Sequence, residues 1–324
     1  MLSKTIRFCF ARTQANFSKF SKTIIPDYFK TEPIIEGQYQ VTPTLSVPQN
    51  IKRPDYVDNP NPIFGIYHGN PVVHNQDIIR RLKIAGNLAA RTLAHLASHV
   101  KEGITTDELD KICHKFIIDN NAYPTALGFM HFPKSVCTSV NEVVCHGIPN
   151  TRPLKNGDYI NLDVTLYIEG VHGDNSLMVP VGDVHPEIMK LIQTTQKALY
   201  ESIKVCKPGT PFRKIGEVCE SIAHENGFSV CELFTGHGVG ELLHMAPAVF
   251  HEKKTRSENP YVMQPGMVFT IEPIFTMRRG RYQMWSDQMT VVSPYNPSAQ
   301  WEHTILITEQ GHEVITLRDG EKIE

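Results

Sequence analysis

From Gln76 onward the hydrophobic positions fall into helical spacing. Ile78, Leu82, Ala85, Ala89, Leu93, Leu96 and Val100 mark one face of a long helix that Gly103 ends. Thr105-x-x-Glu108 is a capping box, which opens a second helix through Leu109, Ile112 and Phe116. A similar pair follows, with Ile188, Leu191, Ile192, Thr195, Leu199 and Ile203 on one helix and Ile215, Val218 and Ile222 on the next. Between and after these pairs the period changes from helical spacing to alternation. In residues 158–168, Ile160, Leu162, Val164 and Leu166 point one way, and Asn161, Asp163 and Thr165 the other. A turn near Glu169-Gly170 leads to the return segment Val171-His-Gly-Asp174.

The two helix pairs correspond at a constant offset. Lys101-x-Gly103, Leu109, Ile112, Cys113, Phe116 and Asn120 match Lys207-x-Gly209, Ile215, Val218, Cys219, Ile222 and Asn226. His146-Gly-Ile is answered by His237-Gly-Val, and Gly157 lies six residues before Asp163 as Gly266 lies six before Glu272. Such a repeat is too long for a solenoid unit. It predicts an α+β fold of two helix-pair-plus-strands halves about a pseudo-twofold axis, with a site where the halves meet.

The alternation places the polar residues. A hairpin centred near Glu169-Gly170 is expected to set Asp163 opposite Asp174, with Cβ atoms about 5 Å apart, where two carboxylates repel. A shared proton, a cation between them, or plain solvation each resolves that pair. The second half adds two more carboxylates in apolar strand sequence: Glu272 closes Met267-Val-Phe-Thr-Ile, and Glu302 interrupts Trp301 and His303-Thr-Ile-Leu-Ile307. An unpaired buried carboxylate costs several kcal/mol, and neither strand offers an Arg or Lys. Two Asp, two Glu and His237 form an oxygen-rich donor set large enough for two divalent ions. Such a set, with little nitrogen and no sulfur, favours Mg, Mn, Fe(II), Co or Zn over copper.

Charge and composition narrow the class. Lys plus Arg (32) nearly balance Asp plus Glu (34), so nothing suggests a nucleic-acid binder. No window reaches the roughly 18 apolar residues of a membrane span, and no membrane insertion is expected. The seven cysteines are scattered and never form Cys-x-x-Cys, which suggests reduced thiols. Residues 1–26 carry Lys4, Arg7, Arg12, Lys19 and Lys22 and no acid; without them 27 basic groups face 34 acidic ones, a net of −7. This start reads as an organelle transit peptide or a basic tail, with the mitochondrion favoured and a plastid or the cytoplasm as alternatives. Residues 27–70, with Pro33, Pro43, Pro48, Pro54, Pro60 and Pro62, are expected to be an extended arm or linker, and residues before about Pro48 to be dispensable for catalysis. Residues 71–324 form the expected catalytic domain. Gly236-x-Gly238-x-Gly240 lacks the spacing and context of a phosphate loop, and His68, His95 and His114 read as surface or satisfied core residues.

Six segments carry a resemblance. Pro133-Lys-Ser-Val-Cys-Thr-Ser-Val-Asn-Glu-Val-Val-Cys-His-Gly-Ile-Pro149, Asn161-Leu-Asp-Val-Thr165 and His172-Gly-Asp-Asn-Ser176 resemble type I methionine aminopeptidases. So do Gly236-His-Gly-Val-Gly240, Phe269-Thr-Ile-Glu-Pro273 and Ser298-Ala-Gln-Trp-Glu-His-Thr304, all in family order from about Tyr67 to the C terminus. The basic start and Pro-rich arm resemble the mitochondrial members. The resemblance implies the pita-bread fold around a curved antiparallel sheet, in agreement with the internal repeat. It implies removal of the initiator methionine from nascent polypeptides with a free amine, when the second residue is small.

Carried over by position, the resemblance makes Asp163 a ligand of one metal and His237 and Glu272 ligands of the other, with Asp174 and Glu302 bridging both. Glu272 doubles as the acid/base, and His146 and His244 contact substrate. Phe129, Phe132, Cys137, Leu243 and Trp285 form the implied methionine pocket, whose aromatic and sulfur lining suits a thioether. The sequence departs from the family at Asn175 and Leu243, where Thr and Phe are usual, and at Met130-His131, which replaces a smaller pair. These departures bear on pocket shape and rate. An X-Pro peptidase of the same fold and a catalytically dead homologue acting as a binding protein are the alternatives. The first usually carries a separate N-terminal domain, and the second has usually lost some of the five ligand positions.

Overall fold

A computed structural model describes residues 33–66 and 69–323; the transit-peptide reading of residues 1–26 lies outside them. After a single helical turn at Asp55–Asp58, the first long helix, α1, spans Gln76–Ala97, with Asn75 accepting from the Ile78 amide at its start. The capping box forms as expected: Thr105 and Glu108 satisfy each other's amides at the head of α2, Thr106–Asp119. The second pair is α3, Pro186–Lys204, and α4, Arg213–Glu225. The apolar faces of these four helices and the strand residues beneath them share one continuous core.

The first half is built on a long hairpin. Strand β2, Tyr159–Ile168, pairs antiparallel with β3, Val171–Pro180, and its other edge receives β1, Cys137–Val140. The hairpin closes on only two residues, Glu169 and Gly170, at φ 52° and 89°, the left-handed pair of a tight hairpin turn. That turn sets the register. Thr165 stands opposite Asp174, and Asp163 stands opposite Ser176. The expected direct opposition of Asp163 and Asp174 is therefore corrected. The two are diagonal neighbours, still on one face, because a shift of two residues preserves the side on which a strand residue points. Helix α1 lies directly on the hairpin at Gly173, where a Cβ would come within 2.4 Å of the Ala85 carbonyl oxygen.

The second half contributes five strands of a six-stranded sheet whose remaining edge strand is Gly65–Ile66 of the arm. Its centre runs β5, His244–Val249; β4, Gly236–Gly238; β6, Val268–Ile271; and β7, His303–Ile307. Pairing of Ile271 with His303 brings Glu272 and Glu302 together just beyond the strand ends. The halves are stitched there. Glu302 donates its amide to the Ser176 carbonyl at 3.2 Å, and the Thr304 hydroxyl donates to the Asp174 carbonyl at 2.7 Å.

The arm lies on this body. The Ile34 amide bonds the Glu142 carboxylate at 2.6 Å, and the Ser46 carbonyl meets the His114 ring at 3.1 Å. Thr42 shares Asp107 with Lys134, a lysine 1% exposed that also approaches Asp110. Residues before Pro48 thus complete a buried ionic group, and their removal is expected to lower stability. No helix among the described residues is long and apolar enough to cross a membrane. The six described cysteines are buried and free.

Candidate metal centre

Asp174, His237 and Glu302 converge where the two halves meet. One ligand atom of each lies within 4.8 Å of the others, and all three side chains are buried. Glu272 adjoins them, with Oε1 3.5 Å from His237 Nε2. Asp163 sits on the Asp174 face of the hairpin, and its carboxyl is pushed up by burial and by the Asp174 charge.

The histidine shows what the cluster lacks. His237 Nδ1 lies 3.2 Å from the Gly238 carbonyl, which only accepts, so Nδ1 carries the proton. Burial pulls the His237 pKa down to about 4, so near neutrality Nε2 presents a lone pair. That lone pair faces Asp174 Oδ2 at 3.6 Å and Glu272 Oε1 at 3.5 Å. Three electron-rich atoms at these separations make no hydrogen bond with one another. Burial and mutual repulsion push Asp163, Glu272 and Glu302 well above the usual carboxylate range, and burial lifts Asp174 too. A divalent cation among them removes both penalties, so the donor set fits a metal.

Neighbouring side chains orient the donors. Thr165 Oγ1 donates to Asp174 Oδ1 at 2.7 Å. Thr270 Oγ1 accepts from the His237 amide at 3.0 Å and donates to Glu272 Oε1 at 2.9 Å. Gln300 Nε2 reaches Glu272 Oε2 at 3.3 Å, and the Glu272 amide donates to His251 Nε2 at 3.0 Å. Such outer contacts fix ligand orientation. No role for Thr270, Gln300 or His251 follows from the sequence reading, yet a signal exists. Thr165, Thr270 and Gln300 are strand residues that each stand two residues from a candidate ligand, the spacing that keeps side chains on one side of an extended chain.

Two other histidines flank the cluster. The His244 ring lies edge-on to His237, centroids 4.3 Å apart, and 5.3 Å from Phe129. His146 takes the left-handed φ of 56° and lies 5.3 Å from Phe234. Burial holds His146 at about 4 and His244 well below the ordinary value, so both rings are neutral. Phe132, Cys137 and Leu243 are buried. Cys137 pairs with Asp163, and burial together with the nearby carboxylates keeps its thiol protonated.

Trp285 lies beside the His146 segment, its amide donating to the carbonyl of Thr290, whose hydroxyl meets the His146 carbonyl at 3.5 Å. It lines a small cavity with Ile34, Thr138, Val140 and Gly147. Thr138 and Val140 alternate with Cys137 along β1, so this cavity lies behind the strand from Cys137. A turn from Asp287 to Thr290, tied by the Asp287 carboxylate, holds the segment there.

This architecture and donor set define a class. Residues 80–309 match the profile of metallopeptidase family M24, and the chain belongs to that family. Its relatives include methionine aminopeptidase 2 of Mycobacterium tuberculosis, 44% identical over 85% of this chain and 95% of that protein. Mitochondrial methionine aminopeptidase 1D of Dictyostelium discoideum is also 44% identical, over 89% of this chain and 72% of the relative. Among solved structures, methionine aminopeptidase from Rickettsia prowazekii superposes with a TM-score of 0.73 at 40% identity, covering 76% of this chain and 100% of that one. A prolidase from Pyrococcus furiosus, at 18% identity and TM-score 0.60, shares the fold.

Proposed function

We propose that this protein removes the initiator methionine from nascent polypeptides whose second residue is small, using two divalent ions held by Asp163, Asp174, His237, Glu272 and Glu302. The observation that carries the reading is the convergence of Asp174, His237 and Glu302, with the His237 lone pair turned on two carboxylates. Asp163 and Glu272 extend the set to five donors. Asp163 would hold one ion and His237 with Glu272 the other, and the Asp174 and Glu302 carboxylates would supply charge to the pair. Cobalt, manganese, iron(II) and zinc all suit this donor set.

When bound, the ions supply a polarised scissile carbonyl and a water acidic near neutrality. Glu272, braced by Thr270 and Gln300, takes the proton of the attacking water and returns it to the leaving nitrogen. His244 and His146, both neutral, donate hydrogen bonds to the developing charge on the carbonyl oxygen and to the amide nitrogen. Phe129, Phe132, Cys137 and Leu243 receive the methionine side chain. The substrate amine must arrive neutral and unformylated, so in an organelle that starts proteins with formylmethionine, deformylation comes first. The acid-free basic start and the names of several relatives support a mitochondrial address. Residues 1–26 then act as the import signal ahead of the arm.

A panel of peptides tests this reading. Metal-reconstituted protein should cleave Met-Ala-Ser and spare Met-Leu-Ser and Ala-Pro peptides, and chelator should abolish the activity. Cleavage of Ala-Pro peptides in place of Met-Ala-Ser would identify an X-Pro peptidase. Inactivity toward both would favour a binding protein.

A further inference from the structure

The metal chemistry accounts for the centre of the molecule but leaves an aromatic chain unexplained, and that chain begins in the arm. Tyr56 and Phe64 both meet the Phe129 ring edge to face. Their centroids lie 5.3 Å and 5.2 Å from it, at interplanar angles of 89° and 81°. Phe129 in turn stands edge-on to His244 at 5.3 Å, and His244 to His237 at 4.3 Å. Two arm rings therefore reach a metal-site histidine through two intermediates.

The backbone repeats the connection. Gly65–Ile66 pairs in parallel with the strand that bears His244, with Gly65 opposite His244 and Ile66 opposite Met245. The Tyr56 hydroxyl donates to the Thr125 carbonyl, and burial, its largest influence, raises its pKa well above the ordinary value, so it stays a donor. Thr125 itself bonds the His172 ring through its hydroxyl at 2.9 Å and the Thr165 carbonyl through its amide at 3.0 Å. The arm is thus tied both to the strand that bears His244 and to the segment that leads into Phe129.

The loop between needs that grip. Gly128, Met130 and His131 have φ of 82°, 48° and 73°. Two of these are side-chain-bearing residues in the left-handed region, which persists only where surroundings hold it. Phe129 lies in the middle of this strained turn, and the arm rings lie against it. Edge-to-face rings fix orientation as well as burying area.

We infer that Tyr56 and Phe64 of the N-terminal arm are positioning residues for substrate specificity, holding the Phe129 ring in the orientation that accepts an unbranched thioether side chain. The inference rests on the methionine aminopeptidase reading. Neither residue touches the reacting atoms. They act by removing rotational freedom from a wall of the pocket, a loss of preorganisation that appears in substrate binding.

Steady-state kinetics on the full metal-loaded chain decide it. Phe64→Ala should raise KM for Met-Ala-Ser about tenfold, a loss of about 1.4 kcal/mol, with kcat changed less than about twofold. Its preference for Met-Ala-Ser over Leu-Ala-Ser should fall by a similar factor, and Phe64→Tyr should restore both. Metal titration by calorimetry should match wild type. Phe64→Leu, which keeps bulk without a ring edge, should show the same KM effect if the alanine variant fails to fold. An unchanged KM and unchanged Met-to-Leu preference in a folded variant, with only kcat or Tm lowered, would overturn the inference. A wild-type protein that does not cleave Met-Ala-Ser would instead overturn the functional reading beneath it.

Discussion

The two halves of the molecule share a backbone and divide its chemistry. In the first half Gly103, at φ 86°, donates its amide to the Leu154 carbonyl at 2.8 Å. In the second, Gly209, at φ 85°, donates to the Met263 carbonyl at 2.9 Å. Asn120 and Asn226 each cap their helix by donating to a carbonyl four residues back, both at 2.8 Å. Gly157 and Gly266 each close on the strand beside them at 2.8 Å. The side chains carried by these matched frames differ. The first half presents Asp163 on a ten-residue strand, and the second presents Glu272 just past a four-residue one. His146 sits at a left-handed φ, while His237 sits in a strand and aims Nε2 into the carboxylate cluster. Backbone hydrogen bonds and turn glycines preserve a duplicated frame, because each change there strands a buried polar group or strains the chain. Side chains pointing into the shared cleft are free of that constraint and can diverge.

Ligand changes should break the comparison most severely. On the proposed two-ion reading Asp174→Asn removes charge from both metals, and activity should fall by more than the roughly 10–100-fold typical of an outer-contact residue. Metal affinity should drop with it, as equilibrium dialysis would show; an Asn variant with full activity in chelator would contradict the metal account. Next come the paired histidines. His146→Ala and His244→Ala should each lower kcat by about 10²–10⁴-fold, measured with saturating metal.

Acid should act through the same asymmetry. Burial holds His146 at about 4 and His251 at about 3, so both are neutral in the folded chain and take up protons on unfolding below about pH 6.5. The unfolded state then binds more protons, and stability falls as pH drops through this window toward those folded values. Each such histidine contributes a slope of about 1.4 kcal/mol per pH unit. Urea unfolding of metal-loaded protein between pH 7 and 5 would check the sign. The smallest expected effect sharpens the likeness: Gly103→Ala and Gly209→Ala should cost the same, about 1–2 kcal/mol each, because both sit at positive φ and a Cβ meets nothing within 4 Å at either site. Unequal losses would show that the frames are less alike than their geometry.

Much of this architecture is legible in the residue pattern, and the gaps have physical causes. The four helices follow from apolar spacing and from Thr105 and Glu108 at a helix start. The internal repeat follows from glycines and histidines whose backbone roles admit few substitutes. Alternation identifies the face that bears Asp163 and Asp174, because parity survives any even shift. It does not identify the register, which depends on whether the turn uses two residues or more. The pairing of Gly65–Ile66 with the His244 strand leaves no periodic trace, since two residues are too few to show one. Oriented supports such as Thr270 and Gln300 look like ordinary strand residues until the ligands they serve are placed.

The division of labour between the halves rests on one claim, that His237 alone among the three clustered histidines holds metal. Calorimetric titration of manganese into His146→Ala, His237→Ala and His244→Ala tests it directly. The account predicts wild-type stoichiometry for the His146 and His244 variants and the loss of one ion for the His237 variant. Equal loss of metal in all three would contradict it.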